Sequence, residues 1–250
     1  MRKRLDRALE AGIVIPCYNE GSRINKNLFR SFLEKNVNVI LLFVNDGSKD
    51  NTESVLKEFS SFENTILINL DKNYGKAAAV RVGVNILINK NVKHIGYWDA
   101  DLSTPLSDIN NFIRILNNDD SLSGVIGSRI IKLDNKIIFK KKRKLYGRIL
   151  MFILYFGPLR KIPVYDSQCG AKLFKIHCAK KIFEKPLSTN WLFDIEILMR
   201  LNKLKSVKES LVELPLNEWT HQPDSKIGYK DSFNILKDII TLFSLQNKNL

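Results

Sequence analysis

The sequence predicts an α/β fold in which a mostly parallel central sheet is flanked by helices in a single domain. Through the first half of the chain, short apolar runs alternate with helical patterns, which is typical of βαβ units whose sheet is buried on both faces. The 250 residues suffice for one sizeable core, and no Pro/Gly/Ser-rich linker divides them. We therefore expect one domain without internal repeats.

Five apolar runs are interpreted as the strands of this sheet. They are Gly12–Pro16, Val39–Val44, Thr65–Leu70, His94–Trp98 and Gly124–Gly127. Between them, helices are expected to begin near Glu20, Thr52, Lys76 and Pro105, the last because proline is tolerated in a first helical turn. The second half is less regular. It is interpreted as a loop entering a strand over 166–174, a helix at Trp191–Leu201, an extended segment at Val207–Pro215 and an amphipathic helix at Ser232–Leu245.

Composition excludes some classes of protein and leaves others open. With 44% hydrophobic and 26% charged residues, the chain is neither disordered nor fibrous. The net charge of +14 predicts attraction to an anionic partner, which could be nucleic acid, a phospholipid surface or a phosphorylated substrate. Cys17, Cys169 and Cys178 form no CxxC pair, so neither a disulfide framework nor a zinc site is implied, and a reducing cytoplasm fits best.

No targeting or membrane-spanning segment is expected. The basic start of the chain leads into a short apolar stretch that ends at Pro16, which favours a first strand over a signal peptide. The eight residues Ile149–Phe156 would form a helix of ~12 Å, against a hydrocarbon core of ~30 Å. Because five basic residues, 140–144, precede this run, it suits an interfacial membrane segment. A core helix behind a solvated basic loop fits equally well.

Acidic residues follow three of the predicted strands. Glu20 follows the first, Asp46 the second, and Asp99-Ala100-Asp101 the fourth. In an open α/β sheet, ligands bind beyond the carboxyl ends of the strands, so these side chains should converge. Carboxylate oxygens are preferred by Mg²⁺ and Mn²⁺, which can also take diphosphate oxygens as ligands. A lone D-x-D is weak, but its place beside two other acidic strand ends predicts a metal and nucleotide site.

Two neighbouring motifs have simpler alternatives. Asp46-Gly47-Ser48 is first a turn sequence, although Asp46 could also accept hydrogen bonds from a base or a ribose. The segment 73–76, which ends at Lys76, resembles an anion site at a helix N-terminus. Neither motif is specific by itself.

Seven motifs together carry a family resemblance. They are IVIPCYNE (13–20), VNDGSKDNT (44–52), NYGKAAAVRVG (73–83), DADLSTP (99–105), GSR (127–129), DSQCGAKLF (166–174) and WLFDIEIL (191–198). In this order, and over about positions 11 to 220, they resemble the family 2 glycosyltransferases. Within that family they look most like the dolichyl- or polyprenyl-phosphate glucosyltransferases.

The resemblance implies a fold and an activity. It implies the Rossmann-like GT-A fold, with about 11–130 binding the nucleotide-sugar, about 131–220 binding the acceptor and 221–250 forming a C-terminal amphipathic helix. It also implies inverting transfer of a hexose, glucose, from a UDP-sugar to a polyprenyl or dolichyl phosphate, with Mg²⁺ or Mn²⁺ as cofactor. The enzyme would be peripheral on the cytoplasmic face of an anionic membrane, held there by its own interfacial patch or by a membrane-protein partner.

The donor site follows from the resemblance residue by residue. Pro16, Tyr18 and Glu20 match the first nucleotide-contacting motif. Asp46 matches the carboxylate that reads the uracil or ribose, and Lys76 adds charge for the donor phosphates. Asp99 matches the residue near the ribose and diphosphate, and Asp101 the direct metal ligand. Ser103 stands where the mannosyl branch has a metal-holding Gln, so the resemblance does not extend to a third protein ligand to the metal.

The acceptor side is implied in the same way. Arg129 and Arg143 match two arginines that hold the acceptor phosphate in the mannosyl branch, and Lys172 matches a lysine lining the active site. Gly147 replaces a Ser of that branch near the phosphate. Asp194 matches the catalytic base of inverting members. A lipid phosphate is already anionic, so Asp194 could instead orient substrate, or simply pair with Arg200 or a nearby lysine.

Three other functions compete with this one. The same fold could act on a saccharide acceptor in surface-polysaccharide assembly, with Asp194 as a true base. A phospho-switch domain with Mg²⁺ at acidic strand ends would need about half this length and would leave 166–174 without a role. A nucleic-acid binder is suggested by charge alone, and since the basic residues lack a stacking platform, no nucleic-acid partner is expected.

Overall fold

The computed structural model describes residues 9–129, 136–138, 154–160, 162–216, 218–220 and 229–247. Arg143 and Gly147 lie outside these residues, as do 149–153 of the predicted interfacial segment. The last residues of that segment, 154–156, are helical. Among the residues described, no helix combines the length and the apolar character that crossing a bilayer requires.

A seven-stranded mixed sheet forms the centre of the protein. Its strands are β1 (Leu9–Cys17), β2 (Val39–Asn45), β3 (Thr65–Asn69), β4 (Val92–Trp98), β5 (Gly124–Ser128), β7 (Ala171–Lys175) and β8 (Leu211–Pro215), in the spatial order β3-β2-β1-β4-β7-β5-β8. All neighbours are parallel except β7, which runs antiparallel to both β4 and β5. Two short strands, β6 (Lys136–Ile138) and β9 (Glu218–Thr220), pair separately. The predicted strands and the mostly parallel sheet are confirmed.

Helices connect and cover the strands. They are α1 (Lys26–Lys35), α2 (Thr52–Lys57), a 3₁₀ turn (Glu58–Ser61), α3 (Lys76–Leu87), α4 (Asp108–Asn118), α5 (Ile176–Ile182), α6 (Phe193–Leu204), α7 (Val207–Ser210) and α8 (Tyr229–Asn247). Helix α1 begins later than predicted because the Asn25 side chain caps it, accepting a hydrogen bond from the Leu28 amide. The prediction of an extended segment from Val207 is wrong for its first four residues, which form α7.

The core lies on both faces of the sheet. Successive residues of β1 point to opposite faces, so that Ile13 packs with α1, α2 and α4 while Val14 packs with α3, α5 and α6. On the first face, Phe43 lies 5.3 Å from Phe29 and 5.2 Å from Phe59 between ring centroids. Among the described residues both faces are covered, so the edges of the sheet are where a ligand can approach it.

The strand order brings the predicted acidic ends together. Strand β1 lies between β2 and β4, with Cys17 opposite Asn45 at the end of β2 and Val14 opposite Tyr97 of β4. The loops that follow these three strands therefore leave the sheet side by side. The predicted convergence of their polar residues at one edge is confirmed.

Candidate active site

The loops after β1 and β2 hold each other by hydrogen bonds. Asn19, whose positive φ of 51° is tolerated by asparagine, donates its backbone N–H to Ser48 Oγ at 2.9 Å and accepts from the Lys49 amide at 2.8 Å. The Glu20 amide donates to Thr52 Oγ1 at 2.8 Å. These contacts make one continuous rim from two loops.

The first predicted nucleotide-contacting residues lie along this rim. Pro16 is at the end of β1 and Tyr18 follows it, both half-buried. The Glu20 side chain is 12% exposed and faces Arg23. Their direct contact with a nucleotide stays a prediction.

Asp46 holds the loop that leads into α3. Its carboxylate accepts hydrogen bonds from the backbone amides of Tyr74 and Gly75, both at 2.8 Å, and the residue is 2% exposed. Gly75 has a φ of 94°, a conformation that strongly favours glycine, and α3 begins at the next residue, Lys76. Asp46 thus orients the segment that presents Lys76, and its predicted contact with uracil or ribose is not tested by these bonds.

Lys76 and Asp99 form an ion pair at the carboxyl edge of the sheet. Lys76 Nζ lies 2.5 Å from Asp99 Oδ1 and 5.8 Å from the centre of the Phe193 ring. Burial alone would lower the pKa of Lys76, but the charge of Asp99, followed by that of Asp194, raises it above its ordinary value. Lys76 is therefore cationic at neutral pH, and its contact with a donor diphosphate stays a prediction.

Arg23 connects two of the acidic strand ends. Its Nη1 lies 3.0 Å from Glu20 Oε1 and its Nη2 3.1 Å from Asp101 Oδ2. The other oxygen of Asp101 accepts from the Ser103 amide at 3.0 Å. Sequence reasoning missed Arg23, although a basic residue three positions after Glu20 at an acidic edge was a usable signal.

Asp99 and Asp101 fit a divalent cation in part. Their side chains are 35% and 23% exposed, and they offer the hard oxygen donors that Mg²⁺ and Mn²⁺ prefer. Gly170 makes room for Asp99, since a Cβ atom there would lie 1.8 Å from Asp99 Oδ2. No group of three or more His, Cys, Asp or Glu side chains suited to a metal occurs within the described ranges. Diphosphate and water oxygens would have to complete the coordination.

Asp194 belongs to a buried hydrogen-bonded triad. It lies in the first turn of α6 and is 4% exposed, and its Oδ1 accepts from the Tyr97 hydroxyl and from Lys172 Nζ, the latter at 2.5 Å. Lys172 is 0% exposed and also donates to the Cys169 carbonyl at 2.5 Å. Burial and the charge of Asp194 raise the pKa of Tyr97 well above its usual range, so Tyr97 remains a donor.

Within this triad, Lys172 and Asp194 are partners of each other. Lys172 is fully buried and contacts Asp194, and its predicted contact with the acceptor stays a prediction. Asp194 does pair with a nearby lysine, which is Lys172. Arg200, the other partner considered, pairs with Glu196 at 2.7 Å. The hydroxyl of Tyr97 was not identified from the sequence because Tyr97 sits inside an apolar strand pattern.

Arg129 is held at the end of β5 by Asp166. Its Nε and Nη2 lie 2.6 Å and 2.5 Å from the two oxygens of Asp166, and its backbone amide donates to the same carboxylate at 2.8 Å. The guanidinium lies 5.4 Å from the centre of the Trp219 ring. Burial opposes the charge of Arg129, but the Asp166 carboxylate overrides it and raises the pKa. Its side chain is 25% exposed, and its predicted partner Arg143 lies outside the described residues.

Comparison with known proteins agrees with this architecture. Residues 12–178 match the family model described as glycosyl transferase family 2. The chain belongs to this family. It is similar to dolichyl-phosphate beta-glucosyltransferases of Drosophila melanogaster, with 31% identity over 88% of this chain and 70% of that protein, and of Saccharomyces cerevisiae, with 30% identity over 95% and 75%.

The fold has close counterparts among solved structures. One is glucosyl-3-phosphoglycerate synthase from Mycobacterium tuberculosis, crystallised with Mn²⁺, uridine diphosphate and glucosyl-3-phosphoglycerate. It superposes with a TM-score of 0.70 at 15% identity, covering 95% of this chain and 80% of that chain. At this identity the likeness concerns the fold alone, and it confirms the predicted GT-A architecture of this family 2 glycosyltransferase.

Proposed function

We propose that this protein transfers glucose from a UDP-sugar to a polyprenyl or dolichyl phosphate, with inversion at the anomeric carbon. The observation that carries the proposal is the pairing of both β4-end carboxylates with cations at the open edge of the sheet: Asp99 with Lys76, and Asp101 with Arg23. The similarity to dolichyl-phosphate beta-glucosyltransferases supports glucose and a lipid phosphate as substrates.

The donor would bind along the carboxyl edge. Lys76 stands at the start of α3, where the helix N-terminus also favours negative charge, so that it suits the donor diphosphate. Asp46 keeps this helix start in place through the Tyr74 and Gly75 amides. On binding, the diphosphate would replace Asp99 as the anionic partner of Lys76.

Asp101 and Asp99 would hold the divalent cation, Mg²⁺ or Mn²⁺. When bound, the cation neutralises negative charge that develops on the leaving nucleotide diphosphate. Arg23 supports this role, because it holds Asp101 Oδ2 at 3.1 Å in a fixed position beside Glu20. With Ser103 contributing only its backbone amide to Asp101, the protein supplies few metal ligands of its own.

The acceptor chemistry requires positioning more than a base. An oxygen of the lipid phosphate forms the new bond to the anomeric carbon while the bond from that carbon to the UDP oxygen breaks. The products are glucosyl lipid phosphate and UDP, and no water is consumed. Because the attacking phosphate is already ionised at pH 7, placing it in line and neutralising its charge are the main requirements. Arg129 and Arg143 are proposed to provide that charge.

Asp194 is proposed to orient the substrates. Its Oδ1 already accepts hydrogen bonds from the Tyr97 hydroxyl and from Lys172 Nζ, and these two bonds fix the direction of the carboxylate. Its Oδ2 is outside this pair of bonds and would accept a hydrogen bond from a sugar hydroxyl. A carboxylate held in this way serves better as an acceptor of fixed direction than as a proton shuttle.

Release of UDP from UDP-glucose tests the proposal. The protein would be incubated with Mg²⁺ or Mn²⁺ and one of three acceptors: a short-chain polyprenyl phosphate, a panel of soluble sugars, or water alone. We expect UDP release to be fastest with the lipid phosphate. Release that is no faster than in water would contradict the lipid acceptor, and release driven by a soluble sugar would favour a saccharide acceptor instead.

A further inference from the structure

The C-terminal helix α8 carries an exposed apolar stripe. Phe233, Leu236, Ile240 and Phe243 are 72%, 53%, 64% and 36% exposed. Their spacing of three, four and three residues places them on one side of the helix. The opposite side is packed into the core through Leu242, which is 0% exposed. A stripe of this kind is larger than scattered surface hydrophobics and marks an interaction site.

The stripe continues onto a second segment of the chain. Tyr155 and Phe156 are 54% and 67% exposed, and they precede Gly157. Gly157 lies directly against Phe243, since a Cβ atom there would be 2.2 Å from Phe243 Cζ, and its carbonyl accepts from Gln246 Nε2 at 3.2 Å. Six residues therefore form one surface, which we call the α8 face: Tyr155, Phe156, Phe233, Leu236, Ile240 and Phe243.

The α8 face is fixed relative to the active site. Asp238, on the inner side of α8, accepts three hydrogen bonds on one oxygen from the backbone amides of Asn190, Trp191 and Leu192, at 3.1, 2.7 and 3.0 Å. These residues lead directly into α6, whose first turn carries Asp194. Whatever binds the α8 face is thus held at a set distance from the catalytic cleft.

We propose that the α8 face docks on an anionic lipid bilayer. Four of its six residues are aromatic, a composition that suits the boundary between headgroups and acyl chains. Lys237, next to Leu236 in sequence, and Arg160, three residues after Gly157, are exposed. The chain carries a net charge of +14, and the basic run 140–144 ends eleven residues before Tyr155 in sequence. Positive charge around an apolar face matches the negative potential of an anionic leaflet. The inference rests on the proposed function only in that the acceptor lipid resides in the same bilayer.

Flotation of the full chain with vesicles tests this surface without any substrate. We expect binding to phosphatidylcholine vesicles that contain phosphatidylserine, weaker binding without phosphatidylserine, and weakening by salt. The double variant Leu236→Gln/Ile240→Gln should lower the vesicle partition constant by about tenfold or more, because it removes two apolar side chains from the surface that enters the bilayer. The control is Leu28→Gln on α1, since Leu28 is 54% exposed, as Leu236 is at 53%.

A second measurement separates this inference from the proposed activity. With a short-chain, water-soluble acceptor phosphate, the double variant should transfer glucose as fast as the wild type, and with a long-chain acceptor in vesicles it should be slower. If no acceptor supports transfer, the proposed function fails while flotation still decides the surface. Vesicle binding unchanged in the double variant would overturn the proposal. The proposal would also be overturned if the double variant bound vesicles normally but no longer self-associated in light scattering. A second copy of the chain would then be what covers the α8 face.

Discussion

Each carboxylate of the candidate site has a partner that fixes its direction. Asp46 is bound by backbone amides, Asp99 by Lys76, Asp101 by Arg23, and Asp194 by Lys172 and Tyr97. Acidic groups brought this close would repel one another if left uncompensated. These partners therefore compensate the negative charge of the acidic edge before any ligand binds.

The Asp101 carboxylate is expected to be essential for transfer. Asp101→Asn keeps the side-chain volume but removes the charge proposed to hold the metal, so we predict a loss of about 10²-fold or more in kcat. Steady-state UDP release at several Mn²⁺ concentrations would measure it. The control is Asp120→Asn, whose side chain is fully exposed beside Lys175. Wild-type activity and unchanged metal dependence in Asp101→Asn would remove this metal assignment.

Lys172 is expected to matter for stability through Asp194. Lys172→Met preserves most of the side-chain length but leaves the buried Asp194 carboxylate without its cation, which should destabilise the fold by about 3–5 kcal/mol. Urea unfolding monitored by circular dichroism would measure the change. The double variant Lys172→Met/Asp194→Asn should recover part of the loss, and Lys175→Met on the same strand should cost less. Equal losses in all three would contradict the pairing.

The position of the candidate-site carboxylates at the strand ends could be predicted from the sequence, but their partners could not. A strand end is indicated in the sequence by an apolar run that stops at a polar residue. This pattern located Asp46, Asp99 and Asp101. The partners come from distant positions: Arg23 and Asp101 are 78 residues apart, and Tyr97 and Asp194 are 97 apart. Local patterns hold no information on such pairings.

At the scale of elements, the Arg129–Asp166 pair ties the end of β5 to the segment before β7. Burial alone would raise the pKa of Asp166, but hydrogen bonding and the charge of Arg129 lower it below its ordinary value. A depressed pKa in the folded state means that the contribution to stability is present above about pH 4 and is lost as the pH falls through the folded-state pKa.

This pair predicts part of the acid sensitivity of the fold. In urea unfolding between neutral and strongly acidic pH, the wild type should lose stability below about pH 4, and Asp166→Asn should lose less over the same interval. Asp166→Asn should also be less stable at neutral pH, since Arg129 keeps its charge without a counterion. Asp120→Asn serves as the exposed control. A pH profile of Asp166→Asn that parallels the wild type would contradict the assignment.

The hydrogen bonds from the 190–192 amides to Asp238, which join α8 to the segment before α6, are also testable. Asp238→Ala leaves three backbone amides without their acceptor, so we expect a loss of about 1–3 kcal/mol in unfolding free energy. Hydrogen exchange should quicken over both 190–192 and α8, and kcat should fall because Asp194 loses its support. Asn234→Ala, an exposed position on the same helix, is the control. Faster exchange in α8 alone would mean that the two elements are not coupled.

Most elements could be predicted because apolar periodicity reports burial directly. Strands β1 to β5 were located to within three residues at each end, and all but the edge strand β3 are mostly buried. The start of α1 was not, because an Asn25 cap lies in a polar stretch with several candidate starts. The antiparallel direction of β7 could not be predicted from local patterns either. It depends on pairing with β4 across 70 or more residues of intervening chain, and with β5 across more than 40.

At the scale of the whole molecule, the described part of the chain covers both faces of one sheet, and we propose its carboxyl edge as the donor site. Binding of UDP with Mn²⁺ at this edge should stabilise the entire fold, by about 2.7 kcal/mol when the ligand is at 100 times its Kd. Thermal unfolding with UDP, Mn²⁺, both or neither would measure this. We expect the increase in Tm with both ligands to exceed the sum of the separate increases. Strictly additive increases would contradict a shared site.

The most direct test of the central claim is mass-spectrometric detection of the product. The protein would be incubated with UDP-glucose, Mn²⁺ and a short-chain polyprenyl phosphate, beside Asp101→Asn and Asp120→Asn. We predict a glucosyl polyprenyl phosphate with the wild type and with Asp120→Asn, and none above background with Asp101→Asn. Absence of this product with folded wild-type protein, or its undiminished formation by Asp101→Asn, would contradict the claim.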